Sequence, residues 1–223
     1  RRVSGWIQDR KGPNRVGPWG LLQPVADGIK SFTKEDLVPA MADKPLFVIA
    51  PMICFFTALS MSAVIPFGGT IQVLGRDIKL VVADIDIGLL FIFAFATLGE
   101  YGIVLGGWAS GNKYGVLGAL RAAAQMISYE VALGLVVIGT VILAGSLRLI
   151  DIVEAQRNMW FVVYQPFAFV LYLVTAVAEI NRTPFDMPEA ESELACGFNI
   201  EYSSMKFALF FMAEYAHLII VAA

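Results

Sequence analysis

The sequence predicts an all-α membrane protein, a polytopic bundle of spanning helices with long structured loops. Of its 223 residues, 58% are apolar and 16% are charged, whereas a soluble domain is about 45–50% apolar and about 25% charged. The apolar residues gather in runs of roughly 20, the length at which a helix crosses a bilayer. Backbone groups in lipid must bond internally, and the runs lack strand-like alternation, so helices are favoured over a closed barrel.

Five runs are long and apolar enough to be membrane spans. The predicted spans cover about residues 45–66, 87–108, 122–145, 159–178 and 207–223. Three of them contain one acidic residue each, namely Glu100, Glu130 and Glu214, and none contains Lys or Arg. Gly102 and Gly106 form a small-xxx-small pair, which predicts close packing of the second span against another helix.

The charges between the spans predict which loops share a side of the membrane. Twelve of the sixteen Lys and Arg residues lie in segments 1–44, 109–121 and 179–206. The other four lie in segments 67–86 and 146–158. The positive-inside rule therefore places the first three segments in the cytoplasm, or in the matrix if the source is an organelle.

The first cytoplasmic loop, residues 1–44, is predicted to be structured and to contain an amphipathic helix. Leu22, Val25, Ile29 and Phe32 recur at spacings of three and four residues, while charged residues fall elsewhere on the helical wheel. Such a helix either lies on the membrane surface or docks under a partner subunit, and the pattern leaves both open. Glycine–proline turns precede it, but they lack the Lys-Ser/Thr of a phosphate loop, which argues against nucleotide binding there.

The composition excludes several other kinds of site. A net charge of −3 argues against a nucleic-acid binder that works through positive charge. Cys54 and Cys196 are far apart and His217 is the single histidine, so we expect no metal site and no iron–sulfur cluster in this chain. No G-x-G-x-x-G occurs, so no NAD is expected to bind through a Rossmann unit.

Carboxylates inside or beside the apolar spans are the most informative residues. Glu100, Glu130 and Glu214 lie within three spans, and Glu179 lies at the cytoplasmic end of a fourth. A carboxylate at bilayer depth is costly and is a functional hypothesis by default, because it can exchange a proton near neutral pH. The alternatives for each are a hydrogen-bonded structural acid or a partner of Lys or Arg. Glu214 and His217 lie one turn apart, so they either share a proton or hold separate hydrogen bonds.

A second group of acids lies in the cytoplasmic segment 179–206, called here the acidic segment. Apart from Lys206 it contains one base, Arg182, against six acids. Aromatic and apolar residues interleave with these acids, which favours a folded, partly buried loop, and crowded glutamates are expected to titrate together. On the third span, Arg121, Gln125 and Tyr129 form a polar stripe that must face protein or water. The six acids are Glu179, Asp186, Glu189, Glu191, Glu193 and Glu201.

Four stretches closely resemble one protein family. The first is RKGPNRVGPWGLLQP at residues 10–24, and the second is GWAS at 107–110. The third is QMISYE at 125–130, and the fourth, 178–215, includes EINRTPFD and FNIEY. These stretches are similar to the H-type subunit of bacterial NADH:quinone oxidoreductase, the complex I family whose mitochondrial equivalent is subunit 1. The resemblance covers essentially the whole chain in order and is very specific.

The resemblance implies an architecture and a set of cofactors. Members of the family usually have about eight membrane helices, so the five spans are expected to be the second to sixth of a longer chain. That agrees with a sequence that begins without Met and stops inside an apolar run. The family's cytoplasmic loops form the entrance of a quinone chamber, which hydrophilic partner subunits close. The implied substrate is ubiquinone or menaquinone, while NADH, FMN and iron–sulfur clusters belong to partner subunits.

The resemblance also implies roles for individual residues. The chain is expected to contribute no catalytic redox residue and no metal ligand, and to couple quinone reduction to proton translocation. Its expected partners are the quinone-module and membrane-arm subunits of complex I, the lipid bilayer and quinone, without nucleic acid. The residues expected near the quinone are Arg1, Arg10, Asp186 and Phe198. Those expected to relay protons are Glu100, Glu130, Glu179, Glu189, Glu191, Glu193, Glu201 and Glu214.

Two other functions remain compatible with the sequence. Membrane-bound hydrogenases and related complexes contain a similar subunit, although the matches in the first and last cytoplasmic loops favour the quinone enzymes. An ion-coupled transporter shares the buried acids, but it predicts an internal repeat, and the long basic first loop has no counterpart. The expected location is the bacterial plasma membrane, with the mitochondrial inner membrane as the alternative.

Overall fold

Helices dominate the part of the chain that the computed structural model describes, residues 2–73, 76–188, 193 and 197–222. This confirms the predicted all-α membrane bundle. Short 3-10 turns occur at Pro18–Gly20 and Gly197–Asn199. The helices are α1 (Arg2–Ile7), α2 (Gln23–Thr33), α3 (Lys44–Ser62), α4 (Gly88–Ala109), α5 (Lys113–Ala144), α6 (Leu149–Ala155), α7 (Phe161–Tyr164), α8 (Pro166–Glu179) and α9 (Ser204–Ala222).

Within the described residues, α3, α4, α5 and α9 are long and apolar enough to cross a membrane. Helix α5 has 32 residues, which at 1.5 Å per residue makes it longer than a hydrocarbon core of about 30 Å. It begins at Lys113, before the predicted span 122–145, and the preceding Asn112 Oδ1 accepts a hydrogen bond of 2.9 Å from the backbone N–H of Tyr114. Gly145 ends the helix with a φ of 69°, a left-handed conformation that glycine adopts at little cost.

The fourth predicted span, 159–178, is divided into α7 and α8. Helix α8 has 14 residues, fewer than the roughly 17–25 that cross a bilayer. The division falls at Gln165 and Pro166, because proline lacks an N–H and disfavours helical backbone in the residue before it. Gln165 has φ −132° and ψ 61°. Its side-chain amide donates a hydrogen bond of 3.3 Å to the carbonyl of Gly139, which anchors the break against α5.

A short β-hairpin, which the sequence analysis did not predict, lies between α3 and α4. Strands β1 (Thr70–Val73) and β2 (Arg76–Lys79) pair antiparallel, with Gln72 opposite Asp77. Threonine, isoleucine and valine are frequent in these eight residues, and β-branched residues favour extended backbone. The all-α class is kept, because this hairpin belongs to a connection outside the spanning helices.

The loops predicted to share a side of the membrane meet in the structure. Ser204, at the start of α9, donates a hydrogen bond of 2.9 Å to the carbonyl of Lys34 in the first cytoplasmic loop. At the opposite end of the bundle, Arg148 forms a two-pronged ion pair with Asp84. The contacts therefore agree with the grouping of loops that the charge distribution predicted.

The core lies where α3, α4 and α9 meet. The ring of Phe47 stacks on that of Tyr202 with centroids 4.1 Å apart, and the Tyr202 hydroxyl donates to the carbonyl of Gly106 at 3.1 Å. A Cβ added to Gly102 would lie 2.4 Å from the sulfur of Cys54 on α3. The structure thus confirms close packing at the Gly102 and Gly106 pair.

Helix α2 lies where the sequence predicts an amphipathic helix in segment 1–44. Its apolar face is turned away from the rest of the described chain: Val25 and Ile29 are 58% and 59% exposed, and Phe32 is 74% exposed. An apolar face of this kind needs a cover in the assembled protein. The bilayer surface and a partner subunit are the two predicted surfaces against which this face could pack, and the structure does not decide between them.

Candidate functional site

A cavity between α3, α4, α5 and α9 forms the centre of the site. It runs from the acidic segment toward the middle of the helices and has a volume of about 60 Å³. Most of its lining is apolar. Its polar lining residues are Glu179, Asn181, Asn199, Glu214 and His217. Two of the predicted relay glutamates therefore face one cavity.

Three predicted relay glutamates from three different helices form one electrostatic cluster, called here the glutamate cluster. Glu100 is on α4, Glu130 is on α5 and Glu179 ends α8, and each interacts electrostatically with the other two. Glu100 and Glu179 are 5% and 6% exposed, and each has a carboxylate oxygen without a hydrogen-bond partner among the described residues. Carboxylates this close repel one another when ionised, so a proton gained by one changes the free energy of ionising the others.

The hydroxyl of Thr97 on α4 donates a hydrogen bond to the carboxylate of Glu130 on α5 and so connects these two helices within the glutamate cluster. Thr97 lies three residues before Glu100, so both are on the same face of α4. The sequence analysis missed Thr97. The available signal was a hydroxyl one turn from an intramembrane acid, but nothing in the sequence showed that its partner would lie on another helix.

Gln125 on α5 attaches the acidic segment to the bundle. Its amide nitrogen lies 2.8 Å from the carbonyl of Ala178, 3.0 Å from Asn181 Oδ1 and 2.8 Å from the carbonyl of Phe185. Two amide hydrogens are thus shared among three acceptors. One turn further along α5, the ring of Tyr129 meets that of Phe185 edge-on at 5.2 Å. The predicted polar stripe therefore faces protein, and its partner is the beginning of the acidic segment.

Arg182 joins the acidic segment to α9 through an ion pair with Glu214. The guanidinium nitrogen lies 2.9 Å from the carboxylate oxygen, and the guanidinium lies over the ring of Tyr215 at 5.3 Å. Of the alternatives considered for Glu214, pairing with an arginine is thus observed. The cation comes from the adjoining loop, not from a span.

We expect the Arg182–Glu214 pair to contribute a coupling energy of about 1 kcal/mol to the stability of the folded protein. The pair is partly exposed, 38% at the arginine and 19% at the glutamate, so solvent screens it. The measurement is a double-mutant cycle of the free energy of unfolding with Arg182→Gln, Glu214→Gln and the double variant. Arg157→Gln, at an exposed arginine at the opposite end of the bundle, is the matched control. If the double variant loses the sum of the unfolding free energies lost by the two single variants, the two side chains are not coupled and the pairing is contradicted.

The other described relay acids, exposed Glu193 and half-buried Glu201, lie in the acidic segment outside the lining of this cavity. Glu193 is 62% exposed and forms an ion pair of 2.6 Å with Arg121. Glu201 accepts a hydrogen bond of 2.7 Å from the side chain of Asn112, just before α5. Both contacts tie the segment to the N-terminal part of α5. The predicted relay residues outside the described part of the chain are Glu189 and Glu191.

The residues expected near the quinone have separate surroundings. Phe198 is buried and lines the cavity. Asp186 lies in the acidic segment with its Oδ1 atom buried. Arg10 is exposed, and its side chain donates a hydrogen bond of 2.7 Å to Gln8 within the first cytoplasmic loop. Arg1 lies outside the described residues.

Asn181 is another site residue to which the sequence analysis assigned no role. Its φ of 50° is left-handed, a conformation that asparagine adopts more readily than most residues other than glycine. This turns the chain sharply after α8 and directs the following residues back across α5. The Asn-Arg-Thr-Pro run contained a turn signal, but it did not reveal the contact with Gln125.

Comparisons with known proteins point to one family. The sequence profile described as NADH dehydrogenase matches residues 1–223. The chain is 57% identical over 221 residues to the first H-type subunit of NADH-quinone oxidoreductase in Geobacter metallireducens, covering 99% of this chain and 67% of the relative. It is 52% identical to the H-type subunit of Thermomicrobium roseum and 53% identical to that of Rhodospirillum rubrum, covering 68% and 64% of those relatives and all of this chain. The chain thus spans about two thirds of the length of these relatives.

Proposed function

The chain belongs to the NADH dehydrogenase family, and we propose that it acts as a membrane subunit of a proton-translocating NADH:quinone oxidoreductase. Its relatives are named as the H-type subunit of NADH-quinone oxidoreductase. In this role the chain is an enzyme subunit without a redox centre of its own. Partner subunits hold the NADH site, FMN and iron–sulfur clusters and supply the electrons. The residues of this chain bind quinone near the cytoplasmic side and couple its reduction to proton movement.

The observation that carries this proposal is the glutamate cluster beside the cavity. Burying several carboxylates together is costly, and structural acids normally have their hydrogen bonds satisfied. Glu100 and Glu179 each have an oxygen without a partner among the described residues. An acceptor of this kind can take up a proton or a water molecule from the adjoining cavity. The cluster is therefore suited to gain and lose protons during turnover.

The contacts around Glu179 suggest how quinone reduction acts on the cluster. Reduction of quinone demands protons or creates negative charge near the acidic segment. Gln125 holds that segment against the end of α8, so a change in charge there acts on Glu179. A proton gained or lost at Glu179 changes its repulsion with Glu100 and Glu130. We infer that the change then passes by way of Glu214 toward the pumping subunits.

The other acids of the acidic segment and the first cytoplasmic loop have supporting roles in this proposal. Phe198 offers an apolar ring at the cavity wall against which a quinone can pack. Arg10 is exposed at the side where hydrophilic partner subunits would close the chamber. Asp186 and Arg1 complete the proposed quinone surroundings. The acids proposed to set the charge that Glu179 senses are Glu189, Glu191, Glu193 and Glu201.

The chain is a multi-pass membrane protein, and we propose the bacterial plasma membrane as its location. The relatives compared above come from bacteria. The basic loops would then face the cytoplasm, where the quinone-module subunits bind. Exposed apolar residues along α5 and α8 suit lipid and the helices of membrane-arm subunits. The mitochondrial inner membrane is the alternative location.

Purification of the intact complex from native membranes tests the proposed function. We expect the affinity-tagged chain to co-purify with NADH-binding flavin and iron–sulfur subunits, identified by mass spectrometry. The purified complex should also reduce quinone with NADH. The same tag on an unrelated membrane protein is the control. A hydrogenase large subunit among the partners, or no partner at all, would overturn the assignment.

A further inference from the structure

His217 is a titratable residue that the proposed function does not use. It is the only histidine in the chain and lies on α9, one turn after Glu214. It is partly buried, and it lines the same cavity as Glu179 and Glu214. A polar ring at bilayer depth is costly unless it has a partner or a task.

The imidazole occupies space that a glycine on α4 leaves open. A Cβ added to Gly99 would lie 3.8 Å from Cε1 and 3.9 Å from Nε2 of His217, and 3.1 Å from the Thr57 hydroxyl oxygen. Thr57 directs its own hydrogen to carbonyls of α3, so its oxygen remains able to accept a hydrogen bond. Gly99 precedes Glu100, so the ring packs beside the helix turn that carries a member of the glutamate cluster.

Titratable groups reach this part of the cavity from most of the elements packed around the imidazole. Helix α3 contributes Cys54 to the cavity lining and α5 contributes an apolar wall, while on α4 the lining residue is Gly99, with Glu100 next to it in sequence and outside the lining. The end of α8 contributes Glu179. On α9 itself, Glu214 lies three residues earlier, which places the two Cβ atoms about 5–6 Å apart. His217 thus shares one cavity with an acid of the glutamate cluster and with the acid that Arg182 pairs with.

We propose that His217 carries protons across the cavity between Glu179 and Glu214. This deepens the proposed function and rests on it. A neutral imidazole accepts a proton at one ring nitrogen and releases one from the other. One proton leaves the carboxylic acid of Glu179 and one arrives at the carboxylate of Glu214, while the ring ends neutral with its tautomer exchanged. Protonation of Glu214 also removes the charge that holds Arg182, so this step loosens the acidic segment from α9.

The test uses the intact complex in vesicles, with NADH-driven quinone reduction and proton pumping measured separately. His217→Asn keeps a polar side chain but cannot exchange protons near neutral pH. We expect it to lower the rate of coupled pumping about tenfold while the subunit composition stays unchanged. Tyr172→Phe is the matched control, because it removes another polar contact of α9, the 3.0 Å hydrogen bond to the carbonyl of Val221. It should pump at the wild-type rate.

Chemical rescue separates proton transfer from packing. Added imidazole is expected to restore pumping by the His217→Ala complex. It should leave the pumping rate of the wild-type complex unchanged. Wild-type pumping by His217→Asn, or a His217→Ala defect that imidazole does not relieve, overturns the proposal.

The same vesicles distinguish this proposal from the one on which it rests. Loss of pumping in Glu179→Gln together with normal pumping in His217→Asn overturns the role of His217 alone. Normal pumping in both variants overturns the proton relay itself.

Discussion

Replacing Glu179 with glutamine is expected to slow proton-coupled quinone reduction by about 10²-fold while the complex still assembles. Glutamine keeps the shape of the side chain but cannot gain or lose a proton. Glu179 is 6% exposed and lies at the point where the acidic segment, the cavity and the glutamate cluster meet. Removing its proton exchange therefore interrupts the proposed path at its first buried step.

The same change is expected to leave stability unchanged or slightly higher. An ionised Glu179 is repelled by Glu100 and Glu130, and that repulsion disappears with a neutral side chain. Lost activity without lost stability is typical of a site whose residues are kept for function. The two effects can be measured on one sample, as quinone reduction and as the thermal unfolding midpoint of the purified complex.

Glu154→Gln is the matched control for this prediction. Glu154 lies on α6 at the opposite end of the bundle and is exposed, so the same chemical change there should alter neither activity nor stability. Equal quinone-linked pumping by Glu179→Gln and wild type would show that the cluster has no part in coupling. A large fall in the unfolding midpoint would instead show that Glu179 is a structural acid.

The sequence was sufficient for features that depend on local pattern and on partition into lipid. The spanning helices follow from apolar runs, and the grouping of loops follows from the positions of Lys and Arg. The amphipathic α2 follows from the spacing of residues such as Val25 and Ile29, and close packing follows from Gly102 and Gly106. Even the break between α7 and α8 had a local signal, because Pro166 interrupts the run.

Contacts between helices could not be predicted in the same way. That Thr97 bonds Glu130, or that Arg182 reaches Glu214, depends on the register and crossing of separate helices, which no local pattern encodes. Identifying the acids inside spans therefore gave the members of the cluster but not their arrangement. The same limit explains why exposed Glu193 and half-buried Glu201, which the sequence grouped with the relay, lie outside the cavity lining.

Gly107 fixes how closely α4 and α5 approach each other. A Cβ at this position would lie 2.4 Å from Cβ of Ala119 and 2.5 Å from the carbonyl oxygen of Gly115, both on α5. These contacts are with backbone or a Cβ, so no side-chain rotation can relieve them. Thr97 lies ten residues before Gly107 on α4, and Glu130 lies eleven residues after Ala119 on α5. The same antiparallel pair of helices therefore brings Thr97 into contact with Glu130. The close approach at Gly107 thus also sets the geometry of the glutamate cluster.

Gly107→Ala is therefore expected to lower the free energy of unfolding by about 2 kcal/mol or more relative to Gly134→Ala. Gly134 lies in the middle of α5 and has open space where a Cβ would be, so the control gains helix propensity without a clash. The measurement compares unfolding of the two purified variants and their quinone-linked pumping. Because α4 must move away from α5 to admit the methyl group, Gly107→Ala should lose pumping as well as stability. Equal stability of the two variants would mean that the helices can separate at little cost, and their crossing would then not hold Glu100 and Glu130 together.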